Sequence, residues 1–224
     1  MNVMLHKGEN CGFVNNNEGK KAALNQSFKP MKKNGKSHTI FISNPPKIIG
    51  RMSVAGEKEG RGPVGRYFHK IVDDDKMHEK TFEKAEYDML LAAINGAMES
   101  ADVKTEDIDL FIAGDLLNQI TSSSYVAREL RIPYLGVYSA CSTLSESLAI
   151  GSSLINAGYF DKIKCATASH FATEERQFRY PLEYGCQRPP YAQWTVTAAG
   201  ATLLSSKGDG VKITSATFGR VVDF

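Results

Sequence analysis

The spacing of apolar residues along the chain alternates between a helical period and short continuous runs. Apolar side chains recur every three to four residues from 79 to 100, which predicts a long amphipathic helix whose buried face is rich in alanine. A shorter helix is predicted for 122–130. Continuous apolar runs at 108–113 and 134–138 predict buried strands on either side of that helix. Strands and helices therefore alternate through the middle of the chain.

The last third of the chain is dominated by strand patterns. Residues 164–169 are small and apolar, which is typical of a strand in the centre of a sheet. Residues 198–205 and 211–217 form two further apolar runs, and the glycine-rich segment 207–210 between them predicts a hairpin. An antiparallel edge is therefore expected beside the parallel strands.

The start of the folded part is less regular. Residues 39–42 predict a short strand, and 50–66 carry five glycines among charged residues, which predicts a loop. The alternation of helices and strands that follows indicates an α/β fold. We expect a mostly parallel sheet with helices on both faces and an antiparallel edge.

A cysteine lies in the turn between the run at 134–138 and a helical pattern that extends to residue 156. The turn is Ser139-Ala-Cys-Ser-Thr-Leu-Ser-Glu-Ser147, so Cys141 precedes the helix directly. Free N–H groups of Ser142 and Thr143 and the positive end of the helix dipole are expected beside the thiol. Such a position lowers the pKa of a cysteine and attracts anions.

Three polar residues follow predicted strands of the sheet. Asp115, Cys141 and His170 each come at the carboxyl end of one of these strands. Ligands of α/β sheets bind at that edge. The predicted topology therefore brings these three side chains to one edge, although they are far apart in sequence.

Charge is distributed unevenly. Residues 1–38 carry seven lysines and two glutamates, so +5 lies in this segment and −3 in the remainder of a chain whose net charge is +2. Residues 1–34 lack periodicity and predict a disordered basic extension, followed by one domain over 35–224. Met31 is an alternative start residue. Because the body is acidic, no nucleic-acid partner is expected.

The four cysteines show no metal-binding spacing, so no metal site is expected. No secretory leader precedes them, which favours reduced thiols in an intracellular protein. Apolar runs stay well below the roughly 18 residues of a membrane span. Any membrane association is therefore expected to be peripheral.

The order strand, Ala-Cys-Ser-Thr, long helix and small-residue strand ending near a histidine resembles the N-terminal half of the thiolase and ketoacyl-synthase superfamily. Further segments over about 35–223 resemble the stage V sporulation protein AD family. They are GPVG with Phe68 (62–65), FIAGDLLNQ (111–119), YVAR (125–128), ACST (140–143), ERQFRYP (175–181), and KITSAT (212–217) followed by Gly219 and Arg220.

This resemblance implies a thiolase-like protein of spore formers that binds dipicolinic acid (pyridine-2,6-dicarboxylate) and helps to deliver it into the developing spore. It also implies a peripheral position at the spore inner membrane and work with small membrane proteins of the same operon. Thiolase-like proteins have two similar halves, and the chain corresponds to the first. Pairing with a second half, or a homodimer, is therefore expected.

The resemblance also implies a ligand site with no catalysis and no cofactor, apart from calcium accompanying the ligand. Cys141 has three alternatives: the floor of the binding pocket together with Ser142 and Thr143, an inert core thiol, or an acyl-accepting nucleophile. Asp115 binds through calcium, is protonated, or caps the turn that follows it. His170 is either a ligand residue or a strand-end histidine whose hydrogen bonds are satisfied internally.

Two arginines supply the cationic part of the predicted site. Arg176 and Arg179 are three residues apart and share a face if their segment is helical. Each guanidinium matches a carboxylate in bidentate geometry. The structural alternative is a surface salt bridge with a nearby glutamate.

A second function from another class is acyl transfer by Cys141, with His170 as the only histidine in the following segment to act as base. Without a second half, the outer apolar face of the helix at 142–156 is expected to be exposed. Aggregation or obligate pairing of the isolated chain follows from that exposure.

Overall fold

The computed structural model describes residues 38–173 and 195–220. The predicted extension over 1–34 and nearly all of the irregular segment 171–194 lie outside these residues. The helices are α1 (Glu57–Gly60), α2 (Phe82–Glu99), α3 (Thr121–Leu130) and α4 (Thr143–Asn156). The strands are β1 (Thr39–Phe41), β2 (Lys47–Ala55), β3 (Lys70–Ile71), β4 (Leu110–Asp115), β5 (Tyr134–Gly136), β6 (Lys162–Ser169), β7 (Ala198–Ser205), β8 (Val211–Lys212) and β9 (Ser215–Thr217).

The main sheet has the strand order β3-β2-β7-β6-β4-β5. Strands β2, β3, β4, β5 and β6 run in one direction, and β8 pairs antiparallel with β2 at the edge. The predicted α/β fold with a mostly parallel sheet and an antiparallel edge is confirmed. Strand β7 also runs antiparallel, but it lies inside the sheet between β2 and β6.

The predicted hairpin between 198–205 and 211–217 is wrong. Strand β7 pairs with β2 and β6, whereas β8 pairs with the other side of β2 and β9 pairs with β1. The connection therefore passes over the end of β2. Gly210 lies so close to this strand that a Cβ there would come within 2.2 Å of the Ile48 carbonyl oxygen. A local turn pattern does not reveal such a long-range pairing.

The loop predicted for 50–66 is also partly wrong, because its first residues belong to the nine-residue strand β2. Gly50 interrupts the strand pattern at a bulge in the pairing with β7. A Cβ on Gly50 would come within 2.2 Å of the Ala97 carbonyl oxygen. The glycine therefore reflects the close approach of α2 to the sheet, not a loop.

Two apolar layers lie on opposite faces of the sheet. Phe111 and Ala113 of β4 belong to the cluster built around α2, and Leu110 and Ile112 belong to the cluster that includes Ile155 of α4. This follows from the alternation of side chains along a strand. The sheet thus has α2 and α3 on one face and α4 on the other, as predicted.

The outward side of α4 remains partly accessible. Leu144, Leu148, Ile150 and Leu154 are half-buried, and the last three pack in part against the apolar cluster of this face. The predicted exposure of this helix is therefore moderate in extent. Aggregation or pairing of the isolated chain stays a prediction.

Lys164 is a fully buried lysine in β6. Its Nζ lies 2.9 Å from Met98 Sδ beneath α2. Because burial disfavours the charged form, the pKa of Lys164 is lowered from 10.5 to about 8. At neutral pH this lysine therefore carries a charge that its surroundings disfavour.

We predict that the stability of the parent chain rises with pH relative to that of Lys164→Met, which lacks this titrating group. Between about pH 8 and 10.5 the unfolded chain binds the lysine proton and the folded chain does not, so folding gains about 3 kcal/mol across this window. At pH 7, Lys164→Met is expected to stabilise the fold by roughly 2 kcal/mol. Urea unfolding at several pH values tests this, with Lys162→Met in the same strand as the control.

Candidate functional site

The cysteine turn lies between β5 and α4. A 3-10 turn over Ala140–Ser142 leads directly into α4, and the side chains of Cys141 and Ser142 are exposed. Ala140 has a φ of 45°, the left-handed region that non-glycine residues rarely adopt. The predicted strand, turn and helix are confirmed, with the strand ending at Gly136. Since Cys141 is exposed, the inert-core alternative does not apply to it.

The expectation of free N–H groups at Ser142 and Thr143 is wrong. Ser142 N donates to the Ser139 carbonyl oxygen at 2.9 Å, and the N–H of Thr143 bonds to the Ala140 carbonyl oxygen. The 3-10 turn therefore uses both groups. The Ser142 hydroxyl donates to the Ser139 carbonyl oxygen at 2.8 Å and makes no capping bond to α4.

Asp115 is buried at the end of β4, and its carboxylate accepts hydrogen bonds from Ser123 in the first turn of α3. Its Oδ2 accepts hydrogen bonds from Ser123 N (2.7 Å) and Ser123 Oγ (2.6 Å), and its Oδ1 accepts one from Leu117 N (3.0 Å). Tyr134 Oη donates in turn to Ser123 Oγ at 3.1 Å. Of the three alternatives for Asp115, capping of the following turn is confirmed.

Burial and hydrogen bonding act in opposite directions on this carboxyl group. Desolvation is the larger influence and raises the pKa of Asp115, while the bonds from Ser123 and Leu117 partly offset it. The carboxylate is oriented toward α3. It therefore acts as a positioning group for the turn and helix.

Gly114 brings the end of β4 against the cysteine turn. A Cβ on Gly114 would lie 1.9 Å from the Val137 carbonyl oxygen and 2.8 Å from Thr143 Cγ2. Val137 N also donates to the Ala113 carbonyl oxygen at 3.0 Å. The backbone at the end of β4 therefore contacts the segment around the cysteine turn, whereas the predicted convergence of the Asp115, Cys141 and His170 side chains stays a prediction.

His170 is fully buried at the end of β6 and both of its ring nitrogens have partners. Nε2 lies 2.9 Å from the Asp75 carbonyl oxygen, and Nδ1 accepts from Ala172 N at 3.1 Å. Because a carbonyl only accepts and an amide N–H only donates, the ring is neutral with its proton on Nε2. Burial accordingly lowers the pKa of His170.

The ring of His170 packs on the face of the sheet opposite the cysteine turn. Its centroid is 5.1 Å from that of Phe82, the first residue of α2, whereas α4 covers the other face. Within residues 38–173 and 195–220, no hydrogen bond joins His170 to Cys141. This geometry matches a strand-end histidine with internal partners, while a ligand role for His170 stays a prediction.

Arg176 and Arg179 lie outside the described residues, so their role as carboxylate ligands stays a prediction. In the part of the chain that the structure describes, no group of three or more His, Cys, Asp or Glu side chains is placed to hold a metal ion.

One buried polar contact near this edge of the sheet could not be predicted from the sequence. Glu86 of α2 is fully buried, and its Oε2 lies 3.1 Å from Thr173 Oγ1, which also lies 2.9 Å from the His170 carbonyl oxygen. The sequence offers only one weak signal, since Glu86 falls beside Ala85 and Met89 on the apolar side of the helix.

The two thiols in the described residues differ strongly in solvent exposure. Cys141 is exposed, whereas Cys165 is fully buried, with Sγ 3.4 Å from the Ser147 carbonyl oxygen. Desolvation raises the pKa of Cys165 to about 12. Its thiolate population at neutral pH is therefore roughly a thousandfold below that of an ordinary thiol.

We predict that iodoacetamide modifies Cys141 in the folded chain and leaves Cys165 intact. The expected ratio of rates is at least about 1000. Peptide mapping after a timed reaction at pH 7.5 measures both sites in one sample, and reaction in denaturant equalises them. Equal rates in the folded chain would contradict the burial of Cys165.

The sequence comparison decides the family. The model of "Stage V sporulation protein AD (SpoVAD)" matches residues 36–224. The chain belongs to the stage V sporulation protein AD family. A curated member, Stage V sporulation protein AD of Bacillus subtilis (strain 168), is 44% identical over 193 residues, which are 86% of this chain and 57% of that protein.

Membership in the stage V sporulation protein AD family indicates a role in sporulation. The chain spans 57% of the length of the curated relative that it matches. Among the described residues, no helix is both long and apolar enough to cross a membrane.

Solved structures show the fold. A histidine-to-alanine variant of Xanthomonas campestris OleA is similar with a TM-score of 0.51 and 13% identity, over 74% of this chain and 57% of that one. The 3-oxoacyl-[acyl-carrier-protein] synthase III of Aquifex aeolicus VF5 gives 0.48 and 16%, over 73% and 55%. The similarity to OleA confirms the predicted thiolase-like fold of this chain.

Proposed function

We propose that this chain binds dipicolinic acid without catalysis, for uptake of the acid into the developing spore. The observation that carries the proposal is the family match over residues 36–224, which gives the sporulation role. The ligand site comprises the cysteine turn with Cys141, Ser142 and Thr143, together with Arg176 and Arg179.

The geometry of Asp115 removes an objection to an anionic ligand. A carboxylate beside a bound dicarboxylate would repel it. Both oxygens of Asp115 already accept hydrogen bonds from Ser123 and Leu117, and the group is buried. The Asp115 carboxylate is therefore directed toward α3, on the face of the sheet opposite α4, and away from the proposed ligand.

The surroundings of Cys141 support binding over acyl transfer. A nucleophilic thiol needs a base within hydrogen-bond reach. Both ring nitrogens of His170 are engaged, by Asp75 and Ala172. The exposed thiol and the Ser142 hydroxyl instead form a polar surface at the positive end of the 14-residue helix α4.

Calorimetric titration of the full chain with pyridine-2,6-dicarboxylate and with benzoate tests this proposal. We expect preferential binding of the dicarboxylate and at least tenfold weaker binding after Arg176→Gln or Arg179→Gln. Arg66→Gln is the control. It removes one positive charge in the same way, but at an arginine whose guanidinium lies over the ring of Tyr67. Equal affinity for the two acids would refute the proposal. Titration with and without calcium shows whether the ion accompanies the ligand.

Acyl transfer by Cys141 is the second candidate, supported by the exposure of its thiol at the start of α4. Incubation with acyl-CoA followed by intact mass measurement distinguishes the two functions. A thioester adduct that disappears in Cys141→Ser would establish transfer. Absence of the adduct would leave binding as the function of the turn.

We further propose a peripheral position at the spore inner membrane, with small membrane proteins of the same operon as partners. The family's sporulation role supports this. Salt extraction of membranes from sporulating cells tests the position, and co-purification with those proteins tests the partnership. Light scattering of the isolated chain tests for a homodimer or aggregate, and a monodisperse monomer would contradict the expected pairing.

A further inference from the structure

The ring of His170 is held between a backbone acceptor and a backbone donor. Its Nε2–H donates to the Asp75 carbonyl oxygen at 2.9 Å, and its Nδ1 accepts from the N–H of Ala172 at 3.1 Å. The residue is 0% exposed, and its ring is stacked on that of Phe171 with centroids 5.3 Å apart. A second proton could attach only at Nδ1, where it would point at the N–H of Ala172. This arrangement therefore accommodates only the neutral ring.

The turn that follows β6 runs from Phe171 to Thr173 and is attached through side chains. Phe171 N donates to Thr197 Oγ1 at 3.2 Å, and Thr173 Oγ1 donates to Glu86 Oε2 of α2 at 3.1 Å. Strand β6 ends before this turn begins. The turn can therefore move away from the histidine ring without breaking a strand pair.

Opposing influences act on the charge of His170. Burial is the largest influence on its pKa and lowers it, because the charged ring loses its hydration. The backbone bond and the carboxylate of Asp75 act in the opposite direction, as do the carboxylates of Glu59 in α1 and Glu83 in α2. The described surroundings thus supply negative charge for a protonated ring but no room for its second N–H.

The carboxylates beside the ring include one that is buried and unpaired. Glu59 Oε2 is buried and makes no hydrogen bond within the described part of the chain. Both Glu59 and Asp75 lie against Gly56, where a Cβ would come within 2.8 Å of Glu59 Oε2 and 2.5 Å of Asp75 Oδ1. A cation is also near, since Lys76 Nζ lies 5.5 Å from the ring centroid of Phe82, which packs on the histidine. A protonated ring would offset the unpaired carboxylate.

We propose that His170 is an acid-sensitive switch for the turn from Phe171 to Thr173. A proton from solvent attaches to Nδ1, expels the N–H of Ala172 and detaches the turn from the ring. The bond from Nε2–H to the Asp75 carbonyl oxygen persists, now with a charged donor. Acid therefore opens the chain after β6 and leaves the segment before α2 in place. This switch is independent of the ligand proposed at the cysteine turn.

Hydrogen exchange of single amides, measured by NMR on the full chain and corrected for the intrinsic pH dependence of exchange, tests the switch. The opening equilibrium of the Ala172 N–H should rise about fivefold from pH 6.5 to 5.5, because the open turn admits a protonated ring with an ordinary pKa of about 6.5. The Val72 N–H, which donates to the Ala55 carbonyl oxygen, should show no such rise. A pH-independent opening of Ala172, or an equal rise at Val72, would overturn the proposal.

A variant separates the ring from the other titrating groups. In His170→Gln the amide nitrogen can donate to Asp75 and the amide oxygen can accept from Ala172, but neither group titrates in this range. We expect the opening of Ala172 in this variant to be the same at pH 6.5 and 5.5. His78→Gln is the control, since the side chain of His78 is 86% exposed, and it should keep the fivefold rise. A fivefold rise in His170→Gln would refute the switch.

A further measurement needs no variant. The ¹⁵N chemical shifts of the His170 ring report its protonation directly, with an unprotonated Nδ1 expected at neutral pH. The ring should titrate at the pH at which the turn at Ala172 becomes half open. A ring that becomes protonated while the Ala172 N–H stays protected would contradict the switch.

Discussion

Gly114→Ala is expected to prevent stable folding of the chain. A Cβ at this position would lie 1.9 Å from the Val137 carbonyl oxygen, a distance that non-bonded atoms do not reach. The obstacle is backbone in a buried part of the sheet, so no side-chain rotation relieves it. Separating β4 from the turn would also break the bond from Val137 N to the Ala113 carbonyl oxygen. We expect a loss of more than about 4 kcal/mol.

The matched control is Gly200→Ala in β7 of the same sheet. A Cβ on Gly200 meets nothing within 4 Å, so its effect should stay within roughly 0.5 kcal/mol. Soluble yield and urea unfolding of both variants measure the difference. A Gly114→Ala chain as stable as Gly200→Ala would show that β4 and the cysteine turn are not in contact.

Asp115→Ala is expected to destabilise the chain by about 4 kcal/mol. The substitution leaves the N–H of Leu117 and both donors of Ser123 without their acceptor in a buried region. It also removes the negative charge from the start of α3. Urea unfolding measures the loss, and Asp209→Ala in an exposed turn is the control.

A double-mutant cycle separates capping from a general effect of substitution. Ser123→Ala alone removes one of the donors to Asp115, and in the Asp115→Ala background it should cost much less. The expected coupling is about 1–3 kcal/mol. Additive losses would contradict the hydrogen bonds between these two side chains.

The sequence predicted the elements that follow a regular period and missed those that depend on distant partners. The helices α2 and α4 and strand β7 were predicted within a few residues because their apolar spacing is clear. Strand β2 was missed because α2 crosses it at Gly50. The hairpin was wrong because a turn sequence does not specify which strand lies beside it.

The site was predictable in part for the same reason. Strand ends of a parallel sheet meet at one edge, so topology predicted that Asp115, Cys141 and His170 lie at the same edge. It did not predict that Asp115 and His170 face α3 and α2, whereas Cys141 precedes α4 on the other face of the sheet. The internal partners of His170 could not be predicted, since Asp75 lies 95 residues away in sequence. The N–H groups of Ser142 and Thr143 were expected to be free because a 3-10 turn before α4 leaves no sequence signal.

The cysteine turn therefore owes its proposed role to exposure and position. The N–H groups of Ser142 and Thr143 are both engaged within the 3-10 turn, and the described residues place no base in hydrogen-bond contact with the thiol. What remains is an exposed Cys141 and Ser142 at the positive end of α4. Ligand binding at this place would cover the thiol.

Protection of Cys141 from alkylation tests this central claim most directly. The rate of iodoacetamide reaction at Cys141 is followed by peptide mapping of the full chain, with increasing pyridine-2,6-dicarboxylate and with benzoate as the control. Binding at the cysteine turn predicts at least tenfold slower modification at saturating dicarboxylate and no change with benzoate. An unchanged rate of Cys141 modification at saturating dicarboxylate would contradict it.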